Sequence, residues 1–318
     1  MAAAGLGSRP LGTAGLDVSV MSLGSWRTFE RLPAGTRVAI MRAARDEGIN
    51  FFDDARYNDE TGTAPIPTGY SEVVFGELFR GAGVPRDQAV VANKLWWEFW
   101  PEQSAAAELD ASLQRMGFDY IDLIYANPPP DGMPVAELVA ATFGLVGSGK
   151  ARAWGLVNWH AELAGQAVRA AADLGVAQPC AIQLPYSLVR RDWVEDPAMT
   201  RVLDVSGAGL IASFSLAGGV LSGKYLTGPV PGRAAGTLDD PGVASAAAAA
   251  GELASLAARL GTTPAALALA VPFTHPALAS VLFGATRPEQ LRANCAAASL
   301  LARLGPDDVA ALLRIGAR

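Results

Sequence analysis

A chain of 318 residues that is 51% apolar and only 18% charged has ample material for a large core, which excludes extensive disorder. Its net charge of -6 is spread along the sequence without a Lys/Arg cluster, so no nucleic-acid partner is expected. Cys180 and Cys295 form no CxxC pair, and His160 and His275 have no metal-ligand spacing, which argues against a disulfide framework and against a metal site.

The N-terminus lacks a basic region followed by an apolar stretch, and no run of 18 uncharged apolar residues follows it. The expectation is a cytoplasmic protein without a membrane partner. From Arg9 to Val20, "RPLGTAGLDVSV" has the glycine-punctuated alternation of a hairpin, spanning about residues 9–20. Short apolar runs then alternate with segments of helical period. The predicted strands are "SVMSLGS", "NFFDDA", "AVVANKL", "YIDLIYAN", "RAWGLVN", "CAIQLPY", "LIASFSL" and "ASVLFGA". Between them lie amphipathic stretches such as "RVAIMRAARDEG" and "SAAAELDASLQRMG", each stopped by a glycine, and an alanine-rich helix from Ala244 to Leu260. Eight strand-helix pairs with no linker between halves predict one α/β domain over 1–318, a (β/α)8 TIM barrel with an N-terminal β-hairpin.

In such a barrel the chemistry sits where strands end. The second strand ends at Asp53 with Tyr57 just beyond, the third carries Lys94, the fourth Asn127 and the fifth Asn158. An ammonium held by Asp53 and lying near the Tyr57 hydroxyl would favour the phenolate, and a tyrosine so placed can act as a general acid. The alternative is a structural Asp53–Lys94 pair with Tyr57 merely packed beside it. Strand alternation turns Asp54 to the other face, where it is expected to cap or solvate nearby backbone. After Lys94, "LWWEFWP" sets Trp96, Trp97, Phe99 and Trp100 on one loop, either as an apolar wall for a carbonyl compound or as loop packing. "GLVGSGKA" mimics a phosphate loop but ends in Ala151 instead of Ser or Thr. It also runs from helix to strand, the reverse of what a triphosphate site needs.

"GINFFDDA", "VVANK", "SLQRMGFDYIDLIYANPPP", "GKARAWGLVNW", "AGGVLSGKY" and "FGATRPEQLRAN" together resemble the aldo-keto reductase superfamily over Leu11 to Asn294. The asparagine of "YANPPP", with "LGSW" and "RAWG", looks most like the branch of potassium-channel β subunits and related microbial reductases. The resemblance implies NADPH-dependent reduction of a small-molecule aldehyde or ketone to an alcohol. The catalytic set it carries over is Asp53, Tyr57, Lys94 and Asn127, with NADPH expected over NADH because Arg287 or Lys224 can meet a 2′-phosphate. The alternative implied by the branch is an NADP(H)-binding regulatory or sensor subunit with little turnover.

Further cofactor contacts implied by the resemblance are Gly24, Ser25 and Trp26, then Asn158 and Gln183 at the carboxamide. Phe214, Leu216, Gly218, Ser222 and Lys224 follow along the pyrophosphate loop, with Gly284, Arg287, Gln290 and Asn294 at the adenosine end. Trp26, Trp96 and Trp97 are expected around the substrate. The chain departs from the family pattern at several points. Tyr57 follows Asp53 by four residues instead of five, Asp54 replaces a threonine, and the polar stretch "NDETGTAPIPTG" leads to a rival tyrosine, Tyr70. Val157 replaces a serine, and Ser213 aligns where an aromatic ring is usual, with Phe214 beside it.

Overall fold

The computed structural model describes residues 6–226, 228, 230, 232, 234–235 and 241–317; the first five residues, read above for a leader signal, lie outside it. Strands β1 (Ser8–Pro10) and β2 (Asp17–Ser19) form the expected hairpin, with Arg9 opposite Val18. Eight parallel strands follow: β3 (Met21–Gly24), β4 (Phe51–Asp53), β5 (Val90–Leu95), β6 (Ile121–Ala126), β7 (Ala151–Val157), β8 (Ala181–Pro185), β9 (Gly209–Ser213) and β10 (Leu278–Phe283). Each pairs with the next and β10 pairs back to β3, which closes the barrel. Nearly all of their residues are buried, because in a parallel barrel one face meets the interior and the other meets helices.

Helices α1 (Ala34–Asp46), α2 (Tyr70–Ala82), α3 (Ala105–Met116), α4 (Val135–Gly147) and α5 (Ala161–Asp173) each return the chain between the strands from β3 to β8. A short α6 (Asp192–Glu195) and α7 (Pro197–Ser206) precede β9, and α8 (Pro241–Arg259) and α9 (Pro264–Ala270) precede β10. Last come α10 (Pro288–Cys295) and α11 (Pro306–Ile315). Local chemistry sets the boundaries: Ser104 and Thr263 accept from backbone N–H groups at the starts of α3 and α9, and Gly83 and Gly117 end α2 and α3 in the left-handed region. The GxxxxGK mimic is the end of α4 and a turn into β7, as its context requires. No single described helix is long and apolar enough to cross a membrane.

The barrel interior is packed with Phe51, Leu123, Tyr125, Val157 and Ile211, and the hairpin contributes Leu11 and Val18 to the same cluster. The hairpin therefore plugs one end of the barrel. Its turn presses close: Gly12 has φ 54°, and a Cβ there would meet the Cys180 carbonyl oxygen at 2.5 Å. Gly155 likewise leaves room for the buried Tyr125 ring, which a Cβ would approach to 3.2 Å. The opposite end stays open, and the strand-terminal side chains collect there.

Candidate active site

Asp53 is the last residue of β4 and pairs in register with Ala92 of β5, two residues before Lys94. Strand alternation turns both side chains to the same side, and both are almost fully buried. Lys94 Nζ donates to Asp53 Oδ1 and to the Tyr57 hydroxyl oxygen at 3.3 Å, with the Asp54 carbonyl oxygen at 3.4 Å. Gln183 Nε2 donates to the second Asp53 oxygen at 2.9 Å, so the carboxylate is held from two sides. The Trp96 and Tyr57 rings stand edge to face with their centroids 6.1 Å apart. Tyr70 begins α2 and does not line the cavity that contains these groups. Asn127 follows β6 and donates through Nδ2 to the Leu95 carbonyl at 3.0 Å; a second N–H remains on the same amide.

These four side chains line a cavity of about 610 Å3, within the range of ligand pockets. Gly24, Trp26, Asn158, Gln183 and Phe214 border it beside them, Leu216, Gly218 and Lys224 further along, and Gly284 and Gln290 at its far side. Both Ser213 and Phe214 reach it, and the Phe214 ring, half exposed, lies 5.2 Å from Trp26. Ser25, Trp97, Ser222, Arg287 and Asn294 lie outside the lining. Trp97 is buried in the core between barrel and helices, its backbone N–H turned to Glu108. Arg287 sits just ahead of α10 and Asn294 is buried within that helix.

Backbone strain gathers at this end. Among the described residues the non-glycine positions with positive φ are Arg27, Trp97, Asn158, Phe214 and Ala217, all on segments that follow barrel strands at the cavity side. Such conformations cost energy and persist where surrounding packing enforces them.

Asp54 corrects the expectation of a solvated or capping carboxylate. It does face away from Lys94, but it is wholly buried; Ser25 Oγ donates to its Oδ1, and Oδ2 has no hydrogen-bond partner. Burial, with Glu72 of α2 adding repulsion, pushes its carboxyl well above the usual range. Strand alternation identified the correct face. The missing element was that the outer face of a barrel strand meets helices instead of water. Sequence reasoning also missed that Gln183 holds Asp53, and that Glu60 of the polar stretch after Tyr57 pairs with Arg27 and Arg31. A lone amide and isolated surface charges give no spacing signal that would have revealed either.

Comparison with known proteins decides the family. Residues 20–316 match the Aldo/keto reductase family. The chain belongs to the aldo/keto reductase family. Among curated relatives, a probable voltage-gated potassium channel subunit beta of Oryza sativa subsp. japonica is 31% identical over 314 residues, covering 94% of this chain and 93% of the relative. A similarly named protein of Arabidopsis thaliana is 30% identical over 311 residues, covering 93% and 92%. A putative voltage-gated potassium channel subunit beta of Schizosaccharomyces pombe is 30% identical over 318 residues, covering 94% and 90%. Family membership supports an oxidoreductase reading of the barrel and agrees with the branch that the sequence motifs resemble.

Proposed function

We propose that this chain reduces an aldehyde or ketone to an alcohol with NADPH as the reductant. The observation that carries the reading is Lys94 Nζ, which reaches both the buried Asp53 carboxylate and the Tyr57 hydroxyl on the wall of one cavity. In this role Tyr57 gives its proton to the carbonyl oxygen as that oxygen gains negative charge. The ammonium stabilises the negative charge left on the phenol oxygen, and Asp53, steadied by Gln183, holds the ammonium. The Asn127 amide donates a hydrogen bond to the carbonyl and does not titrate, so the proton comes from Tyr57. Trp26 and Trp96 offer flat apolar walls suited to aryl or hydrophobic carbonyl compounds.

The cavity fits a dinucleotide. It continues from Tyr57 past Gly218 and Gly219, whose left-handed backbone presents no Cβ, to Gly284, Thr286 and Gln290. Asn158 would hold the carboxamide, Leu216 and Gly218 the pyrophosphate, Lys224 a 2′-phosphate, and Gly284 and Gln290 the adenosine. When bound, the nicotinamide supplies the hydride. Lys224, a cavity cation, supports NADPH over NADH, because a 2′-phosphate dianion rewards a positive charge.

The names of the relatives support a second reading, an NADP(H)-binding regulatory or sensor subunit with little turnover. Following NADPH absorbance in the presence of benzaldehyde, a naphthaldehyde and an aliphatic aldehyde separates the two. The reductase reading expects aldehyde-dependent NADPH loss. Tight NADPH binding with no loss across all three would favour the regulatory reading.

A further inference from the structure

The stretch after Tyr57 is folded, and its contacts reach the neighbouring loop after β3, which lines the cavity. Asn58 bridges Thr68 antiparallel, Asp59 N donates to the Pro67 carbonyl at 2.8 Å, and Gly69 N donates to the Tyr57 carbonyl at 2.9 Å, making a small hairpin rooted at Tyr57. The Asp59 carboxylate accepts from Thr61 N at 2.9 Å and Ala64 N at 3.0 Å, which shapes the tip. Arg56 steadies the base through Thr68 and an ion pair with Glu98 on the loop after β5. Glu60, beside that shaped tip, pairs with Arg27 and with Arg31, the latter at 3.2 Å. Both arginines lie on the loop after β3 and line the cavity, Arg27 with its guanidinium over the Trp26 ring at 4.7 Å. Arg27 first and Arg31 second hold the Glu60 carboxyl below the usual range, so it stays charged at neutral pH.

Glu60 thus joins the loops that follow β3 and β4, neighbours in the barrel, and holds two arginines of the cavity wall. Glu30 also pairs with Arg31, which leaves the four charges of this cluster balanced, so the cluster itself adds no net attraction for an anion. A charge-balanced bridge acts by geometry: it fixes where the Arg27 and Arg31 side chains stand on the cavity wall beside Trp26.

We propose that Glu60 is a specificity-determining residue, clasping the hairpin to Arg27 and Arg31 so that slim carbonyl compounds enter in preference to broad fused-ring ones. The inference rests on the reductase reading above. The pairs are partly exposed, so the clasp is in equilibrium with an open form, and loss of an exposed pair shifts such an equilibrium by up to about fivefold.

The test uses the full chain with NADPH and two neutral substrates, benzaldehyde and an anthracene carbaldehyde. Glu60→Gln should raise kcat/KM for the anthracene compound by about fivefold and change the benzaldehyde value by less than about twofold. Raising sodium chloride to about 0.5 M should produce the same shift in the wild type and none in the variant, because salt screens the clasp only where it exists. Equal effects on both aldehydes, or no effect on either, would overturn the proposal. If the wild type reduces neither aldehyde, the reductase reading fails, and the clasp is decided by acrylamide, a neutral quencher of tryptophan fluorescence. Stronger quenching in Glu60→Gln then supports a gate over Trp26 and Trp96, and identical quenching in both proteins removes it.

Discussion

Asp122 and Asp53 are both buried in barrel strands, one near the start of β6 and the other at the end of β4, yet they are held in different ways. Asp122 receives two guanidiniums, Arg86 at 2.6 Å and Arg152 at 3.0 Å, together with the Val91 backbone N–H at 2.9 Å. Both arginines also lie over the Tyr120 ring, at 4.1 and 4.5 Å. Asp53 has one ammonium and one amide, and that ammonium is shared with a phenol facing a cavity. Redundant partners with no ligand space beside them make a structural joint. A single cation placed between an acid and a hydroxyl, with space in front, makes a site that can move a proton. The comparison separates stability from chemistry within one barrel.

The largest expected effect lies at the cavity end. Lys94→Met should lower carbonyl-dependent NADPH oxidation by about 10²- to 10⁴-fold, the span of general acid–base contributions, with NADPH affinity changed far less in a fluorescence titration. At the other end Asp122→Asn should leave kcat nearly unchanged and lower unfolding free energy in urea by about 1–3 kcal/mol, because the part-buried Arg86 and the half-exposed Arg152 lose their anion. If Asp122→Asn abolished turnover without loss of stability, the contrast would fail.

Asp54 offers a smaller effect of opposite sign. Burial raises its folded-state pKa above the unfolded value of about 4, so the folded protein binds more protons through that window. Stability is therefore expected to fall as pH rises from about 4 through the folded value. Asp54→Asn should stabilise the protein at pH 7 by about 1–2 kcal/mol and by almost nothing near pH 4, read from urea melts at the two pH values. The smallest change is expected at Arg152→Met: its side chain is half exposed and Arg86 still holds Asp122, so the cost should be about 1 kcal/mol or less.

Much of this architecture was legible because it depends on local pattern. All eight barrel strands fall on the apolar runs read from the sequence, and the helix stops at Gly48 and Gly117 fall where glycine ended each amphipathic stretch. Lys94 was legible beside Asp53 because adjacent parallel strands deliver their ends to one face. Asp54 was half legible, since alternation gives the face but not what packs upon it. The Glu60 clasp was not legible: its three charges are separated by up to 33 residues, and only the folded hairpin after Tyr57 brings them together. Tyr57 and Tyr70 both stood open in the sequence, and only Tyr57 reaches Lys94 in the fold.

The central claim is that the Tyr57 hydroxyl, positioned by Lys94, delivers the proton to a bound carbonyl. The most direct measurement compares aldehyde-dependent NADPH oxidation in Tyr57→Phe and Tyr70→Phe, with NADPH binding followed in parallel. Tyr57→Phe should bind NADPH but lose about 10²-fold or more in turnover, and Tyr70→Phe should keep the wild-type rate if the Tyr57 hydroxyl is the proton donor. Undiminished turnover in Tyr57→Phe would contradict that role.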